Sequence, residues 1–303
     1  MNAPAQHRSL PPTTNTPRPT LVPPRPRRYT PLALWHLLSL DAPTVAAVWT
    51  AFIARSAGIH LSWLGPAAMF LAVWMLYAAD RLLDARPHPD GSAPPELEER
   101  HRFHHRHRRT FLTLIVLAAI TLAFTLHRLN PTALHLYTAL GVLLAAWLLL
   151  IHARTGLQRL PKELAVGIFF PAAVFIPTVA RLPQLRLTLL PLALLLALAC
   201  TLNCLFLYAW EHPHQRPHAH ITTLWATSHL PQLSFAALAL SLLTATQLKT
   251  PLNLPAIACS LSIALLLFLH LRRNRITPVH LRALADLVLL TPLLFLIPRL
   301  ITG

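Results

Sequence analysis

The sequence predicts an all-α membrane protein whose helices cross a lipid bilayer about nine times. Three observations support this fold class: 54% of the 303 residues are apolar, only 12% are charged, and the mean hydropathy is +0.51. A transmembrane helix needs about 20 mostly apolar residues, so spans take up most of a chain of this length and composition. We therefore expect a polytopic helix bundle without a separate soluble domain.

Nine apolar runs, bounded by arginine, histidine, proline or asparagine residues, are the candidate spans. They lie near residues 40–60, 62–83, 110–128, 131–152, 162–181, 186–211, 229–247, 252–272 and 281–301. Asp41, Arg55 and His60 interrupt the first run, which makes it the weakest of the nine. Residues 1–30 are rich in proline, threonine and arginine, and we predict that they form a disordered cytoplasmic tail before a helical membrane domain of residues 31–303.

The distribution of lysine and arginine predicts the orientation of the chain. If the amino terminus is inside, the cytoplasmic segments hold most of the basic residues, and the opposite side keeps only Arg128, Arg181, Arg186, Lys249 and Arg299. This asymmetry accounts for the formal charge of +16, so we expect membrane lipids as partners and no nucleic acid. The predicted location is the inner (plasma) membrane of the cell, with several crossings and a cytoplasmic amino terminus.

Polar residues close two of the predicted spans on the same side of the membrane. Asp80 and Asp84 end the second span; because they are four residues apart, they share one helix face. Asn203 and Glu211 end the sixth span and lie on roughly one face of it. Carboxylates without a positioned nucleophile suit a Mg²⁺ ion that binds a diphosphate. Such an ion would assist departure of diphosphate from an allylic lipid, while apolar helices enclose the isoprenoid chain.

Each of these residues also has a structural interpretation. Helix-end acids are common, and polar side chains often join helices by hydrogen bonds. The local pairs that the spacing allows are Asp84 with Arg81 and Asp286 with Arg282. The run of histidine and arginine from His101 to Arg109 is best interpreted as part of an amphipathic helix on anionic lipid, with diphosphate binding and metal binding as alternatives.

Together these features resemble the UbiA superfamily of intramembrane aromatic prenyltransferases. The resemblance rests on the nine spans, the acidic motif of the second, the polar motif of the sixth, and the stretch from Leu160 to Pro171 that opens the fifth. It implies an α-helical, Mg²⁺-dependent enzyme that transfers a polyprenyl group from its diphosphate to an aromatic or lipid acceptor.

The resemblance also implies roles for particular residues. Asp80 and Asp84 match the last two acids of the family motif Asn-x-x-x-Asp-x-x-x-Asp, and they are the implied catalytic residues. The implied metal ligands are Asp80, Asp84, Asn203 and Glu211. Arg81 stands where the family often has arginine, and Lys162 and Arg216 offer further charges; these three are the predicted contacts of the substrate's diphosphate.

Two other functions stay open. Leu76 and Leu207 occupy positions where the family has polar ligands, which suggests a homologue that binds an isoprenoid lipid without catalysis. A transporter lined by Asp80, Asp84, Glu211 and Asp286 is the third hypothesis. It is less favoured, because the discontinuous helices of transporters carry glycine or proline breaks, and the whole chain has only 7 glycines.

Overall fold

The structure is a computed structural model that describes residues 29–84, 99–153, 162–212 and 220–296. In these residues the chain forms helices joined by short turns, and no strand is present among them. The α-helices of the described ranges are α1 (Pro31–Leu37), α2 (Asp41–Ser56), α3 (Leu64–Asp84), α4 (Glu99–Arg106), α5 (Arg108–His127), α6 (Pro131–Ala153), α7 (Lys162–Arg181), α8 (Arg186–Glu211), α9 (Ile221–Ser228), α10 (Leu230–Gln247), α11 (Leu254–Arg272) and α12 (Pro278–Leu287). The predicted all-α class is confirmed, whereas most of the predicted tail lies outside the described residues.

Helices occupy all nine of the predicted spans, but fewer of them meet the requirements for crossing a bilayer. Six described helical segments are long and apolar enough, and α1 with α2 makes a seventh if this bent pair counts as one span. The six are Leu64–Leu83, Arg108–His127, Leu164–Arg181, Pro183–Glu211, Leu254–Arg275 and Pro278–Leu296. These helices are consistent with a membrane protein, whereas the count of nine crossings is not confirmed.

The helix α8 lies at the centre of the bundle. Its buried side chains extend over about five turns from Leu189 to Phe206 and are apolar except for Asn203. This helix packs against α7, α10, α11 and α12. The approach to α7 is close, because a side chain at Gly167 would collide with Thr201 of α8. Glycine is therefore required at this crossing.

The helix α2 is joined to the carboxyl-terminal part of the bundle through Trp49. The indole is fully buried, and its Nε1 donates a hydrogen bond to the carbonyl oxygen of Leu289 at 2.8 Å. That carbonyl belongs to the 3-10 turn Val288–Leu290, which follows α12. A buried indole normally needs such a partner, and here the partner connects two ends of the chain.

The short helix α1 meets α2 at an angle of 89°. Ser39, in the bend, has a φ of 59°, a left-handed conformation that is uncommon for a residue with a side chain. Side chains of α3 hold the bend in place: Trp74 donates to the carbonyl of Leu38 at 3.1 Å, and Arg81 donates to the carbonyl of His36 at 2.8 Å and to Oγ of Ser39 at 2.7 Å. The bend is therefore determined by α3 as well as by local sequence.

One end of the bundle brings together several arginine and histidine side chains. At this end α1 packs against α4 and against the start of α12, where Thr30 and His280 share a hydrogen bond of 2.8 Å. The carboxyl-terminal part of α8 and the segment from Arg272 to Arg282 lie at the same end. We call this the basic end. The turns around Leu61, Arg128 and Arg181 lie together at the opposite end.

Candidate functional site

A cavity of about 1160 Å³ opens at the basic end, between α1, α8, α11 and α12 and the start of α10. Its ionisable lining residues include three arginines, four histidines and one glutamate. These are Arg100, Arg273, Arg282, His36, His212, His270, His280 and Glu211. Because arginine presents a planar fork of donors that matches phosphate oxygens, this lining is suited to a phosphorylated or otherwise anionic group.

Two of the arginines in the cavity are held by neighbouring groups. Glu211 at the end of α8 forms an ion pair with Nε of Arg282 on α12. Nη1 of Arg273 donates to the carbonyl oxygen of His270 at 2.7 Å, and the ring of His270 also accepts a hydrogen bond from Nε1 of Trp210 at 3.0 Å. The cavity wall is therefore partly organised before any ligand binds.

A polar cluster, buried at two of its residues and half-buried at the third, adjoins the cavity. It consists of His36 on α1, Asp41 on α2 and Asp286 on α12, whose potential ligand atoms all lie within 4.8 Å of one another. A hydrogen bond of 2.5 Å joins Nδ1 of His36 to Oδ2 of Asp41. His36 also lines the cavity, so the cluster lies directly behind its wall. We call these three residues the His36 cluster.

The local sequence explains how Asp41 comes to be buried at this place. It is the first residue of α2, where the positive end of the helix dipole stabilises a carboxylate. Its Oδ1 accepts a hydrogen bond from the backbone nitrogen of Ala42 at 3.1 Å. The bend that precedes it brings His36 back toward this helix end.

Arg81 and Asn203 flank the His36 cluster. Nη2 of Arg81 lies 3.7 Å from Oδ2 of Asp41, and both side chains are almost completely buried. Nδ2 of Asn203 on α8 donates to Oδ1 of Asp286 at 2.9 Å. Five helices, α1, α2, α3, α8 and α12, therefore contribute to one polar network in the interior of an apolar bundle.

The structure places the four predicted metal ligands in different surroundings. Asp80 is exposed on α3, and Asp84 ends that helix with a side chain outside the described part of the chain. Asn203 and Glu211 are separated by about 12 Å along α8, given a rise of about 1.5 Å per residue. They face Asp286 and Arg282 respectively. Among the described residues, the His36 cluster is the group of three His, Cys, Asp or Glu side chains that is close enough to share an ion.

Asp80, the acid of the motif whose side chain is described, is not among the residues that line the cavity. Asp80 is exposed, and Leu76, one turn before it, is half exposed. Arg81, the next residue, is only 3% exposed and points into the bundle. It binds the α1–α2 bend, a contact that the sequence did not predict for it.

The side chains of the other two residues predicted to contact the diphosphate lie outside the described part of the chain. Lys162 begins α7, but its side chain lies outside the described residues, as does all of Arg216. The cations that the structure puts in the cavity are Arg100, Arg273 and Arg282. Arg273 and Arg282 belong to the basic segment after α11, which served to predict the orientation of the chain, and Arg282 was also a predicted local partner of Asp286.

One residue of the histidine and arginine run points inward. His104 is fully buried, shares a hydrogen bond of 3.0 Å with Oγ of Ser39, and stacks on Phe111 with ring centroids 3.9 Å apart. Arg102, His105 and other described members of the run are exposed. The interpretation as a lipid-contacting helix remains a prediction for these exposed positions.

Comparison with known proteins identifies no relative of this chain. No family model matches the chain, and no curated protein or solved structure has significant similarity to it.

Proposed function

We propose that this protein is an intramembrane prenyltransferase, a divergent relative of the UbiA superfamily, that moves a polyprenyl group from its diphosphate to an aromatic or lipid acceptor. The observation that carries the proposal is the cavity of about 1160 Å³ at the basic end. It combines an arginine-rich and histidine-rich wall with an apolar bundle around it. An allylic lipid diphosphate has the matching chemistry, because it joins a strongly anionic head to a long apolar chain.

In this proposal the arginines of the cavity bind and orient the diphosphate. Arg273 and Arg282 are already held by His270 and Glu211, so their side chains lose little conformational entropy when they contact the ligand. Oriented positive charges stabilise the negative charge that develops on the leaving diphosphate. The surrounding apolar side chains exclude water from the carbocation-like carbon until the acceptor captures it.

The proposed cofactor is Mg²⁺. Asp80 and Asp84 are the residues that would hold it by resemblance, and the ion would neutralise part of the diphosphate charge. Asn203 and Glu211 fit this role less well, because their side chains are already engaged with Asp286 and Arg282. In the same proposal, all nine helices that match the predicted spans cross the inner membrane, and the basic end faces the cytoplasm.

A second candidate function is binding of an isoprenoid or other anionic lipid without catalysis. It is favoured by the ion pair between Glu211 and Arg282, because a carboxylate that neutralises an arginine is a poor metal ligand. The exposed position of Asp80 and the hydrophobic residue at Leu76 point in the same direction. This candidate keeps the cavity as the lipid site and assigns no reaction to it.

Diphosphate release distinguishes the two candidates. The full-length protein in lipid nanodiscs is incubated with an allylic polyprenyl diphosphate, a set of aromatic acceptors, and Mg²⁺ or a chelator. We expect Mg²⁺-dependent release, and we expect Asp80→Asn and Asp84→Asn each to slow it by about 10²-fold or more, as for loss of one group that stabilises developing charge. Asp90→Asn changes an acid outside both motifs and is the matched control.

Either of two results would reject the proposed Mg²⁺-dependent reaction at the acidic motif. Wild-type rates in both variants would show that the acidic motif has no part in turnover. Tight binding of a noncleavable diphosphate analogue by a wild-type protein that releases no diphosphate would support the second candidate instead.

A further inference from the structure

We infer that His36, Asp41 and Asp286 form a binding site for one divalent first-row transition-metal ion, with the side-chain oxygen of Asn203 as a fourth ligand. The site lies on α1, α2, α12 and α8, behind the wall of the cavity. The site is separate from the acidic motif of Asp80 and Asp84. The inference does not depend on the proposed function.

The spacing of the His36 cluster suits a single ion. Its three potential ligand atoms lie within 4.8 Å of one another. Two ligands on opposite sides of a metal ion, each with a bond of about 2.1 Å, are about 4.2 Å apart. The three side chains therefore need only small adjustments to reach a common centre.

Asn203 provides an independent indication of a missing ligand. It is 5% exposed, and its Oδ1 has no hydrogen-bond partner among the described residues, although Nδ2 of the same amide donates to Asp286. The amide therefore lies at the edge of the His36 cluster with its oxygen unsatisfied. A cation bound beside Asp286 would give this buried carbonyl oxygen, which is otherwise costly, a partner.

The charges of the site also favour a cation. Asp41 and Asp286 bring two carboxyl groups together, whereas Arg81 supplies one positive charge, at 3.7 Å from Asp41. The shorter contacts of that guanidinium go to the carbonyl of His36 and to Ser39. A buried charge without a partner is strongly unfavourable, and a divalent ion would provide the partner.

The ligand set indicates which ions fit. One imidazole with two carboxylates and an amide oxygen is a mixed nitrogen and oxygen site, which suits Mn²⁺, Fe²⁺ or Zn²⁺ better than Mg²⁺. His36 lines the cavity, so an ion can enter from the basic end. Once bound, it would add positive charge directly behind a surface that is already suited to anions.

Metal binding is tested directly with Mn²⁺. The chelator-treated full-length protein in nanodiscs is titrated with Mn²⁺, and the paramagnetic resonance signal of the free ion is followed. We expect one site per chain, from which Zn²⁺ but not an equal concentration of Mg²⁺ displaces Mn²⁺. Asp286→Asn and His36→Gln should each weaken binding by at least the 10- to 100-fold that loss of an outer-shell partner costs. Asp90→Asn, which changes an acid outside both the acidic motif and the His36 cluster, should leave it unchanged.

The thermal midpoint of each protein, with and without Mn²⁺, checks folding and gives a second readout. Mn²⁺ should raise the Tm of the wild type and leave the Tm of Asp286→Asn unchanged. If Asp286→Asn does not fold, His36→Gln carries the comparison. Absence of Mn²⁺ uptake by folded wild-type protein would overturn the inference. Uptake that is lost in Asp80→Asn and retained in Asp286→Asn would also overturn it. Both results are obtained without a diphosphate substrate. The proposed function is therefore accepted or rejected by the separate measurement of diphosphate release.

Discussion

Replacement of Arg81 by methionine is expected to lower the free energy of unfolding by about 3 to 5 kcal/mol, the usual cost of removing one partner of a buried ion pair. The guanidinium is 3% exposed, lies 3.7 Å from Asp41, and holds the α1–α2 bend through His36 and Ser39. Methionine fills much of the same volume but removes the positive charge beside Asp41 and the donor to the His36 carbonyl and to Ser39. At about 2 °C per kcal/mol for a chain of this size, the Tm should fall by about 6 to 10 °C.

Intrinsic tryptophan fluorescence during heating measures this change in detergent or nanodiscs. Arg109→Met removes an exposed arginine and is the matched control, with an expected effect within about 0.5 kcal/mol. Arg81→Lys keeps the charge without the planar fork and should fall between the two. A Tm for Arg81→Met equal to that of the control would show that the bend does not depend on this residue.

Replacement of Arg273 by glutamate is expected to weaken binding of a noncleavable polyprenyl diphosphate by about 10- to 100-fold. A hydrogen bond to a charged group contributes about 1.5 to 3 kcal/mol, and each 1.4 kcal/mol is a factor of ten in affinity. The side chain lines the cavity and is held there by the carbonyl of His270. Reversal of its charge replaces a donor by a repelling carboxylate at the place where the head group should bind.

Arg275→Glu is the matched control for this experiment. Arg275 is exposed two residues further along and does not belong to the cavity lining, yet its replacement changes the net charge by the same amount. Binding is measured by titration of protein in nanodiscs at constant ionic strength. If both variants lost affinity equally, the general positive field of the basic end would be responsible, and a specific contact in the cavity would be rejected.

The sequence was sufficient for the class of fold and for the position of most helices, because a lipid environment requires long apolar segments that can be recognised one at a time. It did not show how the helices meet. Asp41 was interpreted as an interruption of the weakest span, whereas in the structure it begins α2 and belongs to the His36 cluster. No pattern of apolar residues marks the bend at Ser39, which requires a left-handed φ and donors from another helix.

In the acidic motif, the sequence did not show which side of the helix faces the interior of the bundle. Adjacent positions of an α-helix point in directions about 100° apart, since the helix has 3.6 residues per turn. Asp80 and Arg81 were grouped in one predicted site, but the structure exposes the first and buries the second. The packing of α3 against α2, α4 and α5 determines which of the two faces inward, and that packing depends on residues distant in the sequence.

The place where an anionic lipid binds is the most direct test of the central claim. A polyprenyl diphosphate analogue with a photoreactive group beside the diphosphate is bound to the protein in nanodiscs and activated, and the attached peptides are identified by mass spectrometry. We predict attachment at the basic end, to segments that line the cavity, such as those containing Trp210 and Val279. Attachment confined to the opposite end, around Arg128 and Arg181, would contradict the account.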